Sequence, residues 1–176
     1  MGTRPAGPLA GVRVLELGTM LAGPFTARLL GEFGAEVIKV EPPEGDPLRG
    51  WRLLEGGTSL WWYVQSRNKK CITLDLRKPR GQALARRLAA VSDVVIENFK
   101  PGTLERWGLG YDALRAVNSR VILVRISGYG QTGPHRDKPG FGAIGEALGG
   151  LRYVTGYPDR PPPRVGISLG DSVAAL

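Results

Sequence analysis

The sequence predicts an α/β fold, a Rossmann-like parallel sheet with helices on both faces. Two observations predict this class. Short apolar runs recur along the 176 residues, and amphipathic stretches of helical period lie between several of them. Strands separated by helices long enough to cross over form parallel sheets, and the helices then cover both faces. We therefore expect one domain with a core on each side of the sheet.

Five apolar runs have the length and composition of strands. They cover residues 12–17, 37–40, 72–76, 93–96 and 121–126. The last run is apolar enough to be buried on both faces, as central strands of parallel sheets are.

Three stretches predict helices. They are residues 25–33, a segment that begins near Pro79, and a helical hairpin over residues 104–117. In the second of them, Leu84, Leu88 and Val91 recur at spacings of four and three, so they share one helix face. Two long loops, residues 41–57 and 128–140, are rich in glycine and proline. Loops after parallel strands lie at the carboxyl edge of the sheet, where ligands bind.

The net charge of +8 predicts an anionic partner. Nucleic acid, an acidic membrane surface and a phosphorylated cofactor would all fit that charge. The basic residues concentrate between Arg67 and Arg87, but the apolar alternation of residues 72–76 interrupts them. Aromatic residues of the kind that stack on bases are missing there, so we expect no nucleic-acid partner.

The sequence also argues against a membrane protein, a secreted protein, a disulfide-bonded protein and a histidine-based metalloprotein. The longest apolar runs are too short to span a bilayer, and the N-terminus lacks the apolar stretch of a signal peptide. One cysteine, Cys71, excludes an internal disulfide, and one histidine, His135, excludes a His-triad metal site. We expect a soluble cytoplasmic protein without a metal, whose catalysis would rest on carboxylates, lysines, arginines or backbone amides.

Residues 128–133 fit the pattern G-x-G-x-x-G and follow a strand. A dinucleotide fingerprint needs its last glycine to open a helix and an acidic residue at the end of the next strand. Here Pro134 and Pro139 follow, and no such acidic residue is present. We interpret the segment as a mobile glycine-rich loop.

Four positions carry a structural and a functional interpretation. Residues 21–24 are either a simple turn or a helix start that lets a phosphate or thioester approach the backbone. Asn98 is either a helix cap or an amide offered to a ligand, and Arg106 is either a solvated side chain or an anion contact. Asp171 is either an N-cap or a carboxylate kept ionised by helix donors, and so available as a nucleophile.

Six collinear motifs resemble family III CoA-transferases, the group that includes formyl-CoA and carnitine CoA-transferases and the α-methylacyl-CoA racemases. They occupy residues 15–24, 34–41, 68–70, 97–102, 128–134 and 169–171. The resemblance runs from about Leu9 to the last residue. It implies a flexible tail over residues 1–8 and a CoA-binding large domain over residues 9–176, truncated in a helix after Asp171. It also implies an interlocked homodimer for the full-length protein.

The resemblance further implies roles for individual residues. Asp171 matches the nucleophilic aspartate, which would form a mixed anhydride and then an aspartyl-CoA thioester. The positions implied to line the CoA site are Leu21, Ala22, Leu74, Asn98, Phe99 and Arg106, with Arg77 and Lys138 as cations near CoA. CoA and acyl-CoA act as substrates, a small carboxylic acid accepts the CoA, and no cofactor is held permanently.

This sequence departs from the family pattern at four positions. Leu21 and Pro42 stand where formyl-CoA transferase has glutamine and arginine, which argues against formate or oxalate as the acid. Phe141 and Gly142 stand where racemases carry a catalytic histidine and its acidic neighbour. A racemase needs two acid/base groups, so a transferase is favoured. The alternatives are a 2-methylacyl-CoA racemase and a non-catalytic CoA-binding fragment, and we expect the 176-residue chain alone to be inactive.

Overall fold

The computed structural model describes residues 7–176, and at its centre is a five-stranded parallel sheet. Along the chain the elements are β1 (Arg13–Glu16), α1 (Ala22–Glu32), β2 (Glu36–Glu41), β3 (Leu54–Glu55), β4 (Thr58–Ser59), α2 (Leu60–Ser66), β5 (Lys69–Thr73), α3 (Pro79–Ala89), β6 (Val94–Glu97), α4 (Thr103–Arg106), α5 (Tyr111–Val117), β7 (Ile122–Arg125), α6 (Gly142–Leu148) and α7 (Leu169–Ala174). The sheet order is β5-β2-β1-β6-β7, and β3 and β4 form a separate hairpin. The predicted α/β class with a parallel sheet is confirmed.

The two faces of the sheet carry separate apolar clusters, because side chains alternate along each strand. Val14 and Val37 pack with Ala27 of α1 on one face. Leu15 and Val95 pack on the other face, where α3 and α5 supply their apolar sides. Helices therefore cover both faces, as the sequence predicts.

The strand predicted over residues 72–76 is displaced toward the N-terminus, since β5 covers Lys69–Thr73. The sequence misleads here because Lys69 looks like a loop residue. Its side chain is in fact 1% exposed and paired with Glu16. Leu76 is also buried, but it lies beyond the strand. In this segment, being buried and pairing in the sheet are therefore separate properties, since Leu76 is buried without belonging to the strand.

Two helices and a short turn were not predicted. Helix α2 and helix α6 each span seven residues, too few for a clear period in the sequence. Within the predicted loop over residues 41–57, Pro47–Gly50 form a 3₁₀ turn that is capped by Asp46, whose carboxylate accepts the N–H of Leu48 at 2.9 Å. This segment is therefore more ordered than its composition suggests.

The predicted flexible tail falls largely outside the described residues, which exclude residues 1–6. Gly7 lies against the backbone of Phe33 and Gly34. At the other end, α7 packs on α1, and the hydroxyl of Thr26 donates to the carbonyl oxygen of Ala175 at 2.9 Å. This contact fixes the short helix on which Asp171 lies.

Candidate active site

A cavity of about 670 Å³ opens at the carboxyl edge of the sheet. Its walls come from the loops that follow β1, β6 and β7 and from helices α6 and α7. Leu21, Ala22, Asn98 and Asp171, which are distant in sequence, all line it. Four of the predicted site residues are therefore brought together in one place, at the edge where parallel sheets bind ligands.

The other predicted contacts lie outside the lining of this cavity. Leu74 packs against the core, and Phe99 stacks edge-on against Trp107 with ring centroids 5.2 Å apart. Arg106 is exposed and donates to the hydroxyl of Thr103 at 2.9 Å. These side chains are held by protein contacts around the cavity.

The two predicted cations are both exposed. The guanidinium of Arg77 pairs with the carboxylates of Asp75 at 2.7 Å and Glu44 at 2.8 Å. Lys138 lies in the glycine-rich loop, where its backbone N–H donates to the carbonyl of His135 at 2.9 Å.

Asp171 lies in the first turn of α7, but it is not the N-cap, which is Ser168. The N-cap interpretation is therefore wrong. Burial, reinforced by the negative charge of Glu146, raises the pKa of Asp171 above its ordinary value, while Arg164 and the backbone of Gly142 act in the opposite direction. The expectation that helix donors keep Asp171 ionised is therefore wrong in its cause, since the surroundings disfavour the ionised form. A partly buried carboxylate with a raised pKa inside a cavity is nevertheless a common property of catalytic groups.

The backbone of α6 closely approaches Asp171 at Gly142. A Cβ atom at this position would lie 2.6 Å from Oδ2 of Asp171, and one on Gly170 would lie 2.5 Å from the carbonyl oxygen of Gly142. Only glycine fits at either position without displacing the carboxylate or the backbone. The backbone of Gly142 thus leaves room for the Asp171 carboxylate and none for a side chain of its own.

The amide of Asn98 joins two loops of the cavity wall. Its Nδ2 donates to the carbonyl of Thr19 at 2.8 Å, and its Oδ1 accepts the N–H of Thr19 at 2.8 Å. The next helix, α4, has Gly102 as its N-cap, so the helix-cap interpretation of Asn98 is wrong. Both ends of the amide contact the backbone of the β1–α1 loop, and the side chain positions that loop.

A buried ionic cluster, formed by Glu16, Lys39, Asp46 and Lys69, lies beneath the same loop. The ammonium of Lys39 is 2.8 Å from both the Glu16 and the Asp46 carboxylates, and that of Lys69 is 2.6 Å from Glu16. Burial disfavours the charged form of Lys39, but the two carboxylates outweigh it and raise its pKa. Burial lowers the pKa of Lys69, which has Glu16 as its acidic partner.

The buried ionic cluster also holds the backbone of residues 18–24. Lys39 donates to the carbonyl of Gly18 at 3.0 Å, and Lys69 donates to that of Pro24 at 2.7 Å. Asp46 accepts the N–H of Met20 at 3.1 Å, and Met20 has a φ of 63°, which is unfavourable for a residue other than glycine. These four residues were not predicted from the sequence, although a charged residue inside an apolar strand was a usable signal.

The glycine-rich loop leaves β7 and returns to its own starting point. Gly128 and Gly140 approach so closely that a Cβ on Gly140 would lie 2.5 Å from Cα of Gly128. The next helix, α6, begins at Gly142, well after the last glycine of the G-x-G-x-x-G pattern, Gly133. The segment is a loop and not a dinucleotide fingerprint, as predicted.

Residues 7–176 contain neither a metal-binding group of side chains nor a helix that could cross a membrane. In this part of the chain no group of three or more His, Cys, Asp or Glu side chains is arranged to hold a metal ion. None of its helices combines the length and the apolar character needed to cross a bilayer.

A family model for CoA-transferase family III matches residues 9–176. The chain belongs to CoA-transferase family III. Succinyl-CoA–D-citramalate CoA-transferase of Chloroflexus aurantiacus is 64% identical over 98% of this chain and 43% of its own length. The beta subunit of succinyl-CoA–L-malate CoA-transferase of the same organism is 49% identical over 99% of this chain and 44% of its own.

The fold agrees with that of a solved protein. A CAIB/BAIF family protein from Brucella suis superposes with a TM-score of 0.91 at 40% identity, over 97% of this chain and 47% of that protein. The chain therefore spans less than half the length of the relatives it matches. The resemblance noted in the sequence is confirmed, including the N-terminal position of the matched part.

Proposed function

We propose that the protein moves CoA from an acyl-CoA donor to a carboxylic acid acceptor, with Asp171 as the covalent nucleophile. One observation carries this proposal. Asp171 is the residue that the family pattern assigns as nucleophile, and it lines the 670 Å³ cavity together with Leu21 and Ala22 at the start of α1. Small residues at that helix start leave the backbone open to a thioester.

The proposed cycle exchanges acyl bonds in four steps. The Asp171 carboxylate attacks the donor thioester, the C–S bond breaks, and the electron pair leaves with the CoA thiolate. The thiolate attacks the Asp171 carbonyl of the anhydride, giving aspartyl-CoA and the free donor acid. The acceptor carboxylate attacks this thioester and expels the thiolate, which then attacks the acceptor carbonyl and restores Asp171. No oxidant and no net proton is consumed.

The names of the relatives suggest a substrate class. Both Chloroflexus proteins use succinyl-CoA, and their acceptors, D-citramalate and L-malate, are hydroxylated dicarboxylic acids. Arg52 and Arg164 line the cavity, and a guanidinium can bind a second carboxylate in a bidentate manner. We therefore propose succinyl-CoA as the donor and a four- or five-carbon dicarboxylic acid as the acceptor.

We also propose an interlocked homodimer and a cytoplasmic location, as expected from the sequence. Support for the dimer comes from the segment between α6 and α7. Its large side chains Tyr153, Val154 and Tyr157 are among the most exposed apolar groups of the described residues, and Tyr153 is 93% exposed. Exposed apolar groups concentrated in one segment are typical of a surface that another chain covers.

An exchange assay tests the proposal directly. The full-length protein is purified and incubated with succinyl-CoA and a panel of dicarboxylic acids, and the new CoA thioesters are identified by mass spectrometry. Asp171→Ala should reduce exchange at least a thousandfold while CoA still binds, since the covalent route is lost. Hydroxylamine should modify Asp171 only when acyl-CoA is present. Asp112→Asn, an exposed change on α5, is the matched control.

Three outcomes would contradict the proposal. Substantial turnover by Asp171→Ala would exclude Asp171 as nucleophile. Binding of CoA without exchange would indicate a non-catalytic CoA-binding protein. Loss of stereochemistry in a 2-methylacyl-CoA, without exchange, would indicate a racemase.

A further inference from the structure

Glu146 of α6 is a buried carboxylate that the four-step cycle does not use. Its side chain is 2% exposed and lines the same cavity as Asp171. Its oxygens have different surroundings. Oε1 accepts the backbone N–H of Gly170 at 3.1 Å, whereas Oε2 lies 3.6 Å from Nε of Arg164 and makes no hydrogen bond within residues 7–176. Buried carboxylate oxygens are rarely left without a hydrogen bond, so this one needs an explanation.

The contact with Gly170 ties α6 to the residue that precedes Asp171. The same two helices also meet at Gly142 and Gly170, whose backbones leave no room for a Cβ atom. The start of α7 is thus held by a hydrogen bond and by close packing. A small shift of Glu146 would therefore move the Asp171 carboxylate.

The charges around Asp171 are few. Helix α6 contributes Glu146, the segment before α7 contributes Arg164, and these two act on the Asp171 carboxylate with opposite signs. The loop after the 3₁₀ turn contributes Arg52, which lines the same cavity. On α1, which packs against α7, Arg28 is paired with Glu32. Glu146 is therefore the negative group that acts on Asp171.

We infer that Glu146 is a positioning residue for Asp171, which fixes the start of α7 and uses its charge to promote acylation of the nucleophile, an inference that rests on the proposed function. The physical reason is the repulsion between two carboxylates in a partly buried site. When Asp171 attacks the thioester, its negative charge leaves with the CoA thiolate. Acylation relieves the repulsion, so Glu146 destabilises free Asp171 relative to the anhydride. Arg164 limits this effect.

Two changes at Glu146 separate the effect of its charge from the effect of its position. Glu146→Gln keeps an oxygen that can accept the N–H of Gly170 but removes the charge, whereas Glu146→Ala removes both. Arg164→Gln removes the opposing charge. Titration of the Asp171 carboxyl carbon by NMR should give a lower midpoint in Glu146→Gln and a higher one in Arg164→Gln, because loss of a negative neighbour favours the ionised form and loss of a positive one disfavours it. Asp112→Asn should leave the midpoint unchanged.

The same variants are compared in the exchange assay. Glu146→Gln should lower kcat about tenfold with little change in KM, since the charge acts on the reaction step and not on binding. Glu146→Ala should lose more, because the start of α7 is also released. The Gln variant should unfold at nearly the same denaturant concentration as the unsubstituted protein.

The two readouts distinguish the failure of this inference from the failure of the proposed function. If the unsubstituted protein transfers CoA and Glu146→Gln matches it in kcat and in the Asp171 midpoint, the inference is overturned and the proposed function stands. If the unsubstituted full-length protein transfers no CoA, the proposed function fails, and the role of Glu146 in acylation fails with it. Opposite midpoint shifts together with the loss of kcat would support both.

Discussion

Lys39 and Asp171 are both removed from full contact with solvent. Lys39 has neighbours of opposite charge, whereas Asp171 has a neighbour of its own charge. In the buried ionic cluster, Lys39 contacts two carboxylates, so attraction outweighs burial. Asp171 instead lies beside another carboxylate, Glu146, and shares Arg164 with it. The first arrangement stabilises a loop, whereas the second raises the pKa of the Asp171 carboxyl group. In the buried ionic cluster, oppositely charged side chains hold a loop of the cavity wall. At Asp171, where we propose the chemistry, two carboxylates lie close together.

Of the substitutions that test this comparison, Lys39→Met is expected to have the largest effect on stability. Glu16 would keep Lys69 as a partner, but Asp46 would lose its buried cation. Removing one member of a buried ion pair costs about 3–5 kcal/mol, so we expect a loss of that order in the free energy of unfolding. Denaturant unfolding measures it.

Lys70→Met is the matched control for this change. Lys70 is the neighbour of Lys69 in β5, but it is exposed and pairs with Glu36 at the surface. Exposed pairs contribute little, so no measurable change is expected. Equal losses for the two lysines would show that the buried ionic cluster is no more important than a surface pair.

A smaller effect is expected from Gly142→Ala, which disturbs the second arrangement. The new methyl group would lie 2.6 Å from Oδ2 of Asp171, so the carboxylate has to move. We expect a loss of about 1–3 kcal/mol in stability from overpacking and a loss of exchange on the order of a hundredfold from the displaced nucleophile. Steady-state kinetics and unfolding measure the two parts.

Gly166→Ala provides the comparison for Gly142→Ala, because a Cβ at Gly166 meets no atom within 4 Å. It should leave both quantities near their starting values. If Gly142→Ala retained full exchange, the close approach of α6 to Asp171 would have no catalytic importance.

The smallest effect is expected from Arg77→Gln. This substitution tests an exposed cation, in contrast to the buried and partly buried charges above. Arg77 is exposed and pairs with Asp75 and Glu44, so unfolding should not change measurably. If it contacts the CoA phosphates, as the resemblance implies, the Kd for CoA should rise about three- to tenfold, and the difference should shrink in high salt. Arg160→Gln, at another exposed pair, is the control for calorimetric titration with CoA. An unchanged Kd would remove Arg77 from the CoA site.

The fold could be predicted because its strands are apolar runs with helices between them. The predicted bounds of β5, residues 72–76, were wrong, because the strand begins at Lys69, a charged residue whose side chain is buried. A charged residue becomes part of a core only if a partner elsewhere neutralises it. That partner, Glu16, is remote in sequence, and nothing in the local pattern of β5 indicates it.

The site could be predicted only in part for a similar reason. Asp171 and Asn98 were found through motifs, and both line the cavity. Glu146 was not predicted, since it belongs to a seven-residue helix and meets Asp171 only through the close packing of Gly142 and Gly170. Such proximity depends on backbone geometry, which spacing along the chain does not encode.

The contact between Gly128 and Gly140 has a consequence for the evolution of this protein. Because the two glycines close the base of the loop, residues 129–139 are joined to the sheet through one narrow neck. Changes in their length or sequence need not alter the register of β7 or the start of α6. The lining of the cavity around Asp171 includes Gly128 and Gly140 but none of residues 129–139, so the loop beyond the two glycines lies outside that lining. Substitutions and insertions within residues 129–139 are therefore expected to leave the cavity intact as long as both glycines are kept.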